Sequence, residues 1–193
     1  MKVVAILLAA GSATRFGSDK LLHALPHEVP IAVQSARHLK AVFSDPVLAV
    51  VRPDAARLRA LLEHEDCRIV VCEKAAQGMG ESLACAVRAA GPADGYLVAL
   101  ADMPFIRPSS VAAVRDALLA GAPLAAPYFR ARRGHPVGIA GKFREQLAGL
   151  RGDEGAKQLL AAHASEIVKV PVGDPAVLRD IDTPGDLAPP LVV

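Results

Sequence analysis

Two stretches of this chain place charged side chains where phosphates and a metal ion could be held. The first is Leu8-Ala9-Ala10-Gly11-Ser12-Ala13-Thr14-Arg15-Phe16-Gly17-Ser18-Asp19-Lys20, directly behind the apolar run Val3–Leu8. Small residues let backbone N–H groups approach phosphate oxygens, and Arg15 and Lys20 supply the neutralising charge. Charge-assisted hydrogen bonds contribute roughly 1.5–3 kcal/mol each, so two cations and a few amides can hold a triphosphate. The spacing is not that of a P-loop, because Lys20 does not follow directly on the second glycine, and G-x-G-x-x-G fails at Ala13. A surface loop with two solvated cations is the bland alternative.

The second stretch is Tyr96-Leu97-Val98-Ala99-Leu100-Ala101-Asp102-Met103-Pro104. A carboxylate just past the carboxyl end of a buried strand sits where open α/β sheets bind ligands. The same rule brings Gly11–Lys20 to that edge, and a hard oxygen ligand beside phosphates is what magnesium requires. A turn residue ahead of Met-Pro is the competing role for Asp102. Near the C-terminus, Asp180 and Asp182 share one face if Val177–Ile181 is a strand. Asp182 is alternatively the cap of the turn begun by Thr183-Pro184.

Three more segments carry polar groups in loops. Gln77-Gly78-Met79-Gly80-Glu81-Ser82-Leu83 offers amides and the Ser82 hydroxyl at a helix start, suited to a base edge or a ribose, or simply to a cap. Arg132-Arg133-Gly134-His135-Pro136 sets cations beside an imidazole, and Arg151-Gly152-Asp153-Glu154-Gly155-Ala156-Lys157 is a charged link. Charged surface turns are the alternative for both. His23, His27, His38, His64 and His163 have no such context.

These residues must be positioned by a framework, and apolar runs alternating with helical stretches predict an α/β fold with a mainly parallel sheet covered by helices on both faces. Val3–Leu8, Pro46–Val51, Arg68–Val71 and Tyr96–Ala101 are the expected principal strands. Ile31–Val42, Ala55–Glu63, Glu81–Ala90 and a stretch from Ser109 or Ser110 to Leu119 are the expected helices. Beyond these, Leu124–Ala126, Val137–Ile139, Ile167–Val170 and Val177–Ile181 read as short strands, and Lys142–Leu150 and Gly155–His163 as helices. No internal repeat or linker divides the 193 residues, which predicts one domain over residues 1–193.

Composition narrows the function. Lys+Arg 22 against Asp+Glu 20 leaves +2, and aromatics are 4% with no Trp. Neither a polybasic nucleic-acid surface nor a base-stacking platform fits. No apolar run reaches the length of a membrane span, and Lys2 with a short apolar run is a poor signal peptide. The three cysteines, Cys67, Cys72 and Cys85, form no C-x-x-C pair. Cys67 and Cys72 point to opposite faces of a strand, so buried thiols in a reducing cytoplasm are expected rather than a zinc site.

The loop after Val3–Leu8 resembles the L-A-A-G-x-[SG]-x-R-[FM]-G-x-x-K signature of the molybdopterin nucleotidyltransferases, the MobA-like NTP transferases, with Ala13 where a hydroxyl or glycine is usual. Leu100-Ala101-Asp102-Met103-Pro104 resembles the family's L-A-D-x-P motif, whose Asp holds magnesium, and Asp180-Ile181-Asp182-Thr183-Pro184-Gly185-Asp186 resembles its ending. Gly78–Leu83 looks like the branch that uses CTP. Gly134–Pro136 and Gly152–Lys157 resemble acceptor motifs, the latter with Lys157 in place of an Arg of bidentate geometry.

The resemblance implies a Rossmann-like three-layer α/β/α fold and a molybdenum cofactor cytidylyltransferase that joins CTP to a molybdopterin-type cofactor and releases pyrophosphate. GTP transfer to the same cofactor, nucleotidyl transfer to a sugar phosphate, and binding without turnover are the alternatives. The resemblance also implies Arg15, Lys20 and Asp102 as catalytic residues. Leu8, Ala9, Ala10, Gly11, Ala13, Gly78, Met79, Gly80, Ser82, His135 and Asp153 become the remaining binding residues, and Asp102 with Asp182 the magnesium ligands. A recipient molybdoenzyme or its chaperone is an implied partner.

Overall fold

The computed structural model describes residues 1–11, 20–153 and 155–188. Its centre is a mixed, mainly parallel sheet of eight strands: β1 (Val3–Leu8), β2 (Leu48–Val51), β3 (Arg68–Val71), β4 (Gly95–Leu100), β5 (Leu124–Phe129), β6 (Arg132–Arg133), β7 (Val137–Ala140) and β8 (Ile167–Pro171). The order is β3-β2-β1-β4-β7-β5-β6, with β8 paired to β5. β3, β2, β1 and β4 run parallel, and β8 runs parallel to β5. β7 runs antiparallel to both β4 and β5, and β6 antiparallel to β5.

Every residue of β1 is buried, and alternation divides its side chains between two apolar layers. Val3, Ala5 and Leu7 pack with Ile31, Ala36 and Leu39 of α1 (Ile31–Lys40). Leu58 and Leu62 of α2 (Ala56–His64) and Val111, Val114 and Leu118 of α4 (Pro108–Leu119) complete that layer. Val4, Ile6 and Leu8 face Leu83, Ala86 and Val87 of α3 (Met79–Ala90). Leu147 of α5 (Arg144–Ala148) and Leu159 and Leu160 of α6 (Lys157–Ala162) lie on the same side. Cys67 falls in the first layer and Cys72 in the second, as strand alternation predicts.

Three expectations about local structure need correction. Val177–Ile181 is not a strand: Pro175–Leu178 forms a 3₁₀ turn followed by extended chain. The helix predicted over Lys142–Leu150 is a 3₁₀ turn, Gly141–Phe143, leading into the single short turn of α5. Neither Ser109 nor Ser110 caps α4, which starts one residue earlier with Pro108 behind Arg107. The cap comes instead from the distant, buried Asp174, which accepts from the Arg107 amide at 2.9 Å and the Ser110 hydroxyl at 2.8 Å. A cap supplied across the fold leaves no mark in the sequence beside the helix.

Candidate active site

The loops at the carboxyl ends of β1, β2, β3 and β4 surround a crevice of about 500 Å³, the size of a small-molecule site. Its walls include Leu8, Ala10 and Gly11 from the end of β1, Arg52 behind β2, and Ala75, Ala76, Gly78, Met79 and Ser82 between β3 and α3. Lys20, Leu21, Leu100, Asp102, Asp153 and Asp182 complete it.

At the β4 end one cation meets two carboxylates. Lys20 Nζ lies 2.9 Å from Asp102 Oδ2 and 3.5 Å from Asp182 Oδ1. Burial alone would lower the Lys20 pKa, but Asp102 and then Asp182 outweigh it and hold the ammonium above its ordinary value. The Asp180 carboxyl, just outside, is also raised: burial pushes it up, and the neighbouring charges of Asp182 and Asp102 add to the effect.

The backbone fixes this trio. The Ala101 amide donates to the Leu8 carbonyl at 3.1 Å, carrying the β1–β4 pairing to the doorstep of Asp102. The Ser35 hydroxyl braces the Ala101 carbonyl from α1 at 2.9 Å. The Ile181 amide donates to the Asp102 carbonyl at 2.9 Å, and Ile181 itself is fully buried, so its neighbour Asp182 is held facing the crevice. Asp182 is not a helix cap. That duty falls to Thr183, whose hydroxyl and amide both donate to Asp186.

At the β3 end two loops interlock. Gly78 has φ +130°, and a Cβ there would collide with Gly152 and Asp153. A Cβ on Gly80 would come within 2.7 Å of the Arg151 and Gly152 carbonyls, and the Gly80 amide donates to Gly152 at 2.7 Å. Both glycines are required by this close approach. Arg151 also reaches 3.5 Å from the Glu81 carboxylate, whose side chain is only 4% exposed.

Chemically, the crevice offers a half-buried ammonium, two converging carboxylates, side-chain-free backbone at Gly11 and Gly78, and a guanidinium at Arg52. A model of the MobA-like NTP transferase domain matches residues 5–167. The chain belongs to that family. The purine catabolism protein PucB of Bacillus subtilis is 31% identical over 94% of this chain and 92% of its own length. Nicotine blue oxidoreductase of Paenarthrobacter nicotinovorans is 30% identical over the same shares. Among solved structures, Rv0371c of Mycobacterium tuberculosis superposes with a TM-score of 0.84, at 24% identity, covering 96% of this chain and 94% of that one. A second structure of that protein, in complex with manganese, gives 0.80 at 23% identity over 96% of each chain.

For this MobA-like nucleotidyltransferase the crevice gathers Leu8, Ala10, Gly11, Lys20, Gly78, Met79, Ser82, Asp102, Asp153 and Asp182 from the residues singled out in the sequence. Ala9 and Gly80 are buried behind its wall. Arg15 and Ala13 lie outside the described residues. His135 does not line the crevice: its amide donates to the Val177 carbonyl, and its buried Nδ1 has no partner among the described residues. Burial lowers its pKa, against the opposing pull of Asp102. Arg52 was not foreseen; its position after β2, matching Gly11 after β1 and Asp102 after β4, is the signal that could have found it. Among the described residues no helix is long and apolar enough to cross a membrane.

Proposed function

We propose that this chain acts as one nucleotidyltransferase domain that transfers CMP from CTP to the terminal phosphate of a molybdopterin-type cofactor. An acceptor phosphate oxygen attacks the α-phosphorus. The bond to the pyrophosphate oxygen breaks, and its electron pair leaves with pyrophosphate. A phosphate monoester is already anionic at neutral pH, so no general base is required. The observation carrying this reading is the meeting of Lys20, Asp102 and Asp182 in one crevice with the Gly78–Ser82 loop.

The residues act by alignment and charge. Lys20, with Arg15, binds the triphosphate; Gly11 and its neighbours let the chain approach it closely. The donor set fits a magnesium ion. Asp102 and Asp182 both reach a single cationic atom, while no group of three or more potential ligands gathers among the described residues. Two carboxylates with room for water and phosphate oxygens are a magnesium rather than a zinc arrangement. Bound there, magnesium would neutralise charge on the phosphates. A manganese complex of Rv0371c, which shares this fold, supports a role for a divalent ion.

The Gly78–Leu83 loop supports CTP as donor, through its resemblance to the branch of the family that uses it. A reducing cytoplasm suits its three free thiols, and a molybdoenzyme or its chaperone would receive the product. The test is pyrophosphate release from CTP, GTP, ATP and UTP with magnesium and molybdopterin. CTP should give the fastest release and a cytosine dinucleotide product. Faster turnover with GTP would reassign the donor within the same reaction, and no release with any nucleotide would leave a binding protein.

A further inference from the structure

Arg151, Gly152, Asp153 and Gly155 belong to the segment that resembles an acceptor motif in sequence, and they dock on the β3–α3 loop. Gly152 accepts from Gly80, Asp153 Oδ1 fills the space over the Gly78 Cα, and Gly155 packs on the Met79 thioether. Arg151 pairs with the buried Glu81 at the first turn of α3. The link is therefore part of the wall made by the β3–α3 loop.

Asp153 lines the crevice from this wall, and its carboxylate makes no hydrogen bond or ion pair with any described residue. Sheet order β3-β2-β1-β4 separates this wall from Asp102 by three strand spacings, roughly 14 Å at about 4.8 Å each. A nucleotide laid across that distance puts its phosphates at Lys20 and its base or ribose at Asp153. Phosphate oxygens beside this carboxylate would repel it, so the part of the donor that meets Asp153 must carry N–H or O–H. The surfaces next to it, Ala75, Ala76 and Met79, are small or apolar and suit a flat ring.

We propose that Asp153 is a base-reading residue, accepting a hydrogen bond from the exocyclic amino group of the donor's base and thereby selecting cytosine over uracil. Uracil presents a carbonyl at that position, which leaves the carboxylate facing an acceptor, and such mismatches discriminate strongly. Gly78, Gly80 and the Arg151–Glu81 pair are positioning elements that hold the carboxylate at its station. The inference rests on CTP being the donor.

The experiment measures kcat/KM for CTP and UTP in the wild type, Asp153→Asn and Asp153→Ser, with melting temperatures beside them and GTP as a reference. The wild type should favour CTP over UTP. Asp153→Asn, whose amide can donate to a carbonyl, should narrow that ratio at least tenfold, and Asp153→Ser should narrow it less. An unchanged ratio in both variants overturns the role of Asp153 and leaves the CTP assignment standing. Equal losses for every nucleotide also overturn it, because they signify a ribose contact. A wild type that prefers GTP or UTP overturns the donor assignment and this inference together.

Discussion

The Ile181 amide donates to the carbonyl of Asp102 at 2.9 Å, and this one bond sets the two carboxylates Asp102 and Asp182 beside the same ammonium. The C-terminal segment is thus part of the crevice's construction rather than a trailing end. Its other anchor is Asp174, three hydrogen bonds deep: Arg107 amide, Ser110 hydroxyl and Ala176 amide.

Asp174→Ala should consequently destabilise the protein by about 3 kcal/mol, since it strands buried donors that each cost roughly 1–3 kcal/mol when unpaired. Urea unfolding measures this. A loss under about 1 kcal/mol would show that water or a local shift replaces the carboxylate.

Gly80→Ala should part the two interlocked loops, because the added methyl meets backbone carbonyls at 2.7 Å and cannot be relieved by a side-chain rotation. Overpacking of this kind costs about 1–3 kcal/mol. Steady-state kinetics should show KM for the nucleotide rising at least tenfold. An unchanged KM would mean that the loops separate without disturbing the donor.

Lys20 gives a pH signature. Its pKa is raised in the folded state, so the stabilisation it brings is complete below the unfolded value, 10.5, and is lost as pH rises through the folded value. Thermal melts of wild type and Lys20→Met should keep a constant difference from neutrality to that point. Above it the wild type should lose ground. A difference that already changes between about pH 6 and about pH 9 would contradict the ion-pair geometry. In transfer, the same variant should lose the equivalent of roughly 1.5–3 kcal/mol for its charge-assisted contact.

β1, β2 and β4 were legible because each is a nearly continuous apolar run, the mark of burial on both faces. The carboxyl-end rule then carried Gly11, Lys20 and Asp102 to one edge, and the structure brings Lys20 and Asp102 into contact. What the sequence hid was tertiary. Asp182 reads equally well as a turn cap until the Thr183–Asp186 box is seen to fill that role. Asp174 caps a helix far from it in the chain, and Arg52 is one arginine among many in a chain with 22 basic residues. The docking of Gly152 on Gly80 is a backbone contact, whose only trace in the sequence is the pair of glycines that permits it.

Asp102 carries the central claim, that this crevice performs metal-supported nucleotidyl transfer. The most direct measurement is the initial rate of pyrophosphate release against magnesium concentration for the wild type and Asp102→Asn, with melting temperatures recorded alongside. The amide is nearly isosteric and keeps the Asp102 backbone bond to Ile181, so folding should hold. A neutral group binds magnesium weakly, so the rate should fall at least a hundredfold, with partial recovery at high magnesium. A variant with the wild-type rate and magnesium response would contradict the account.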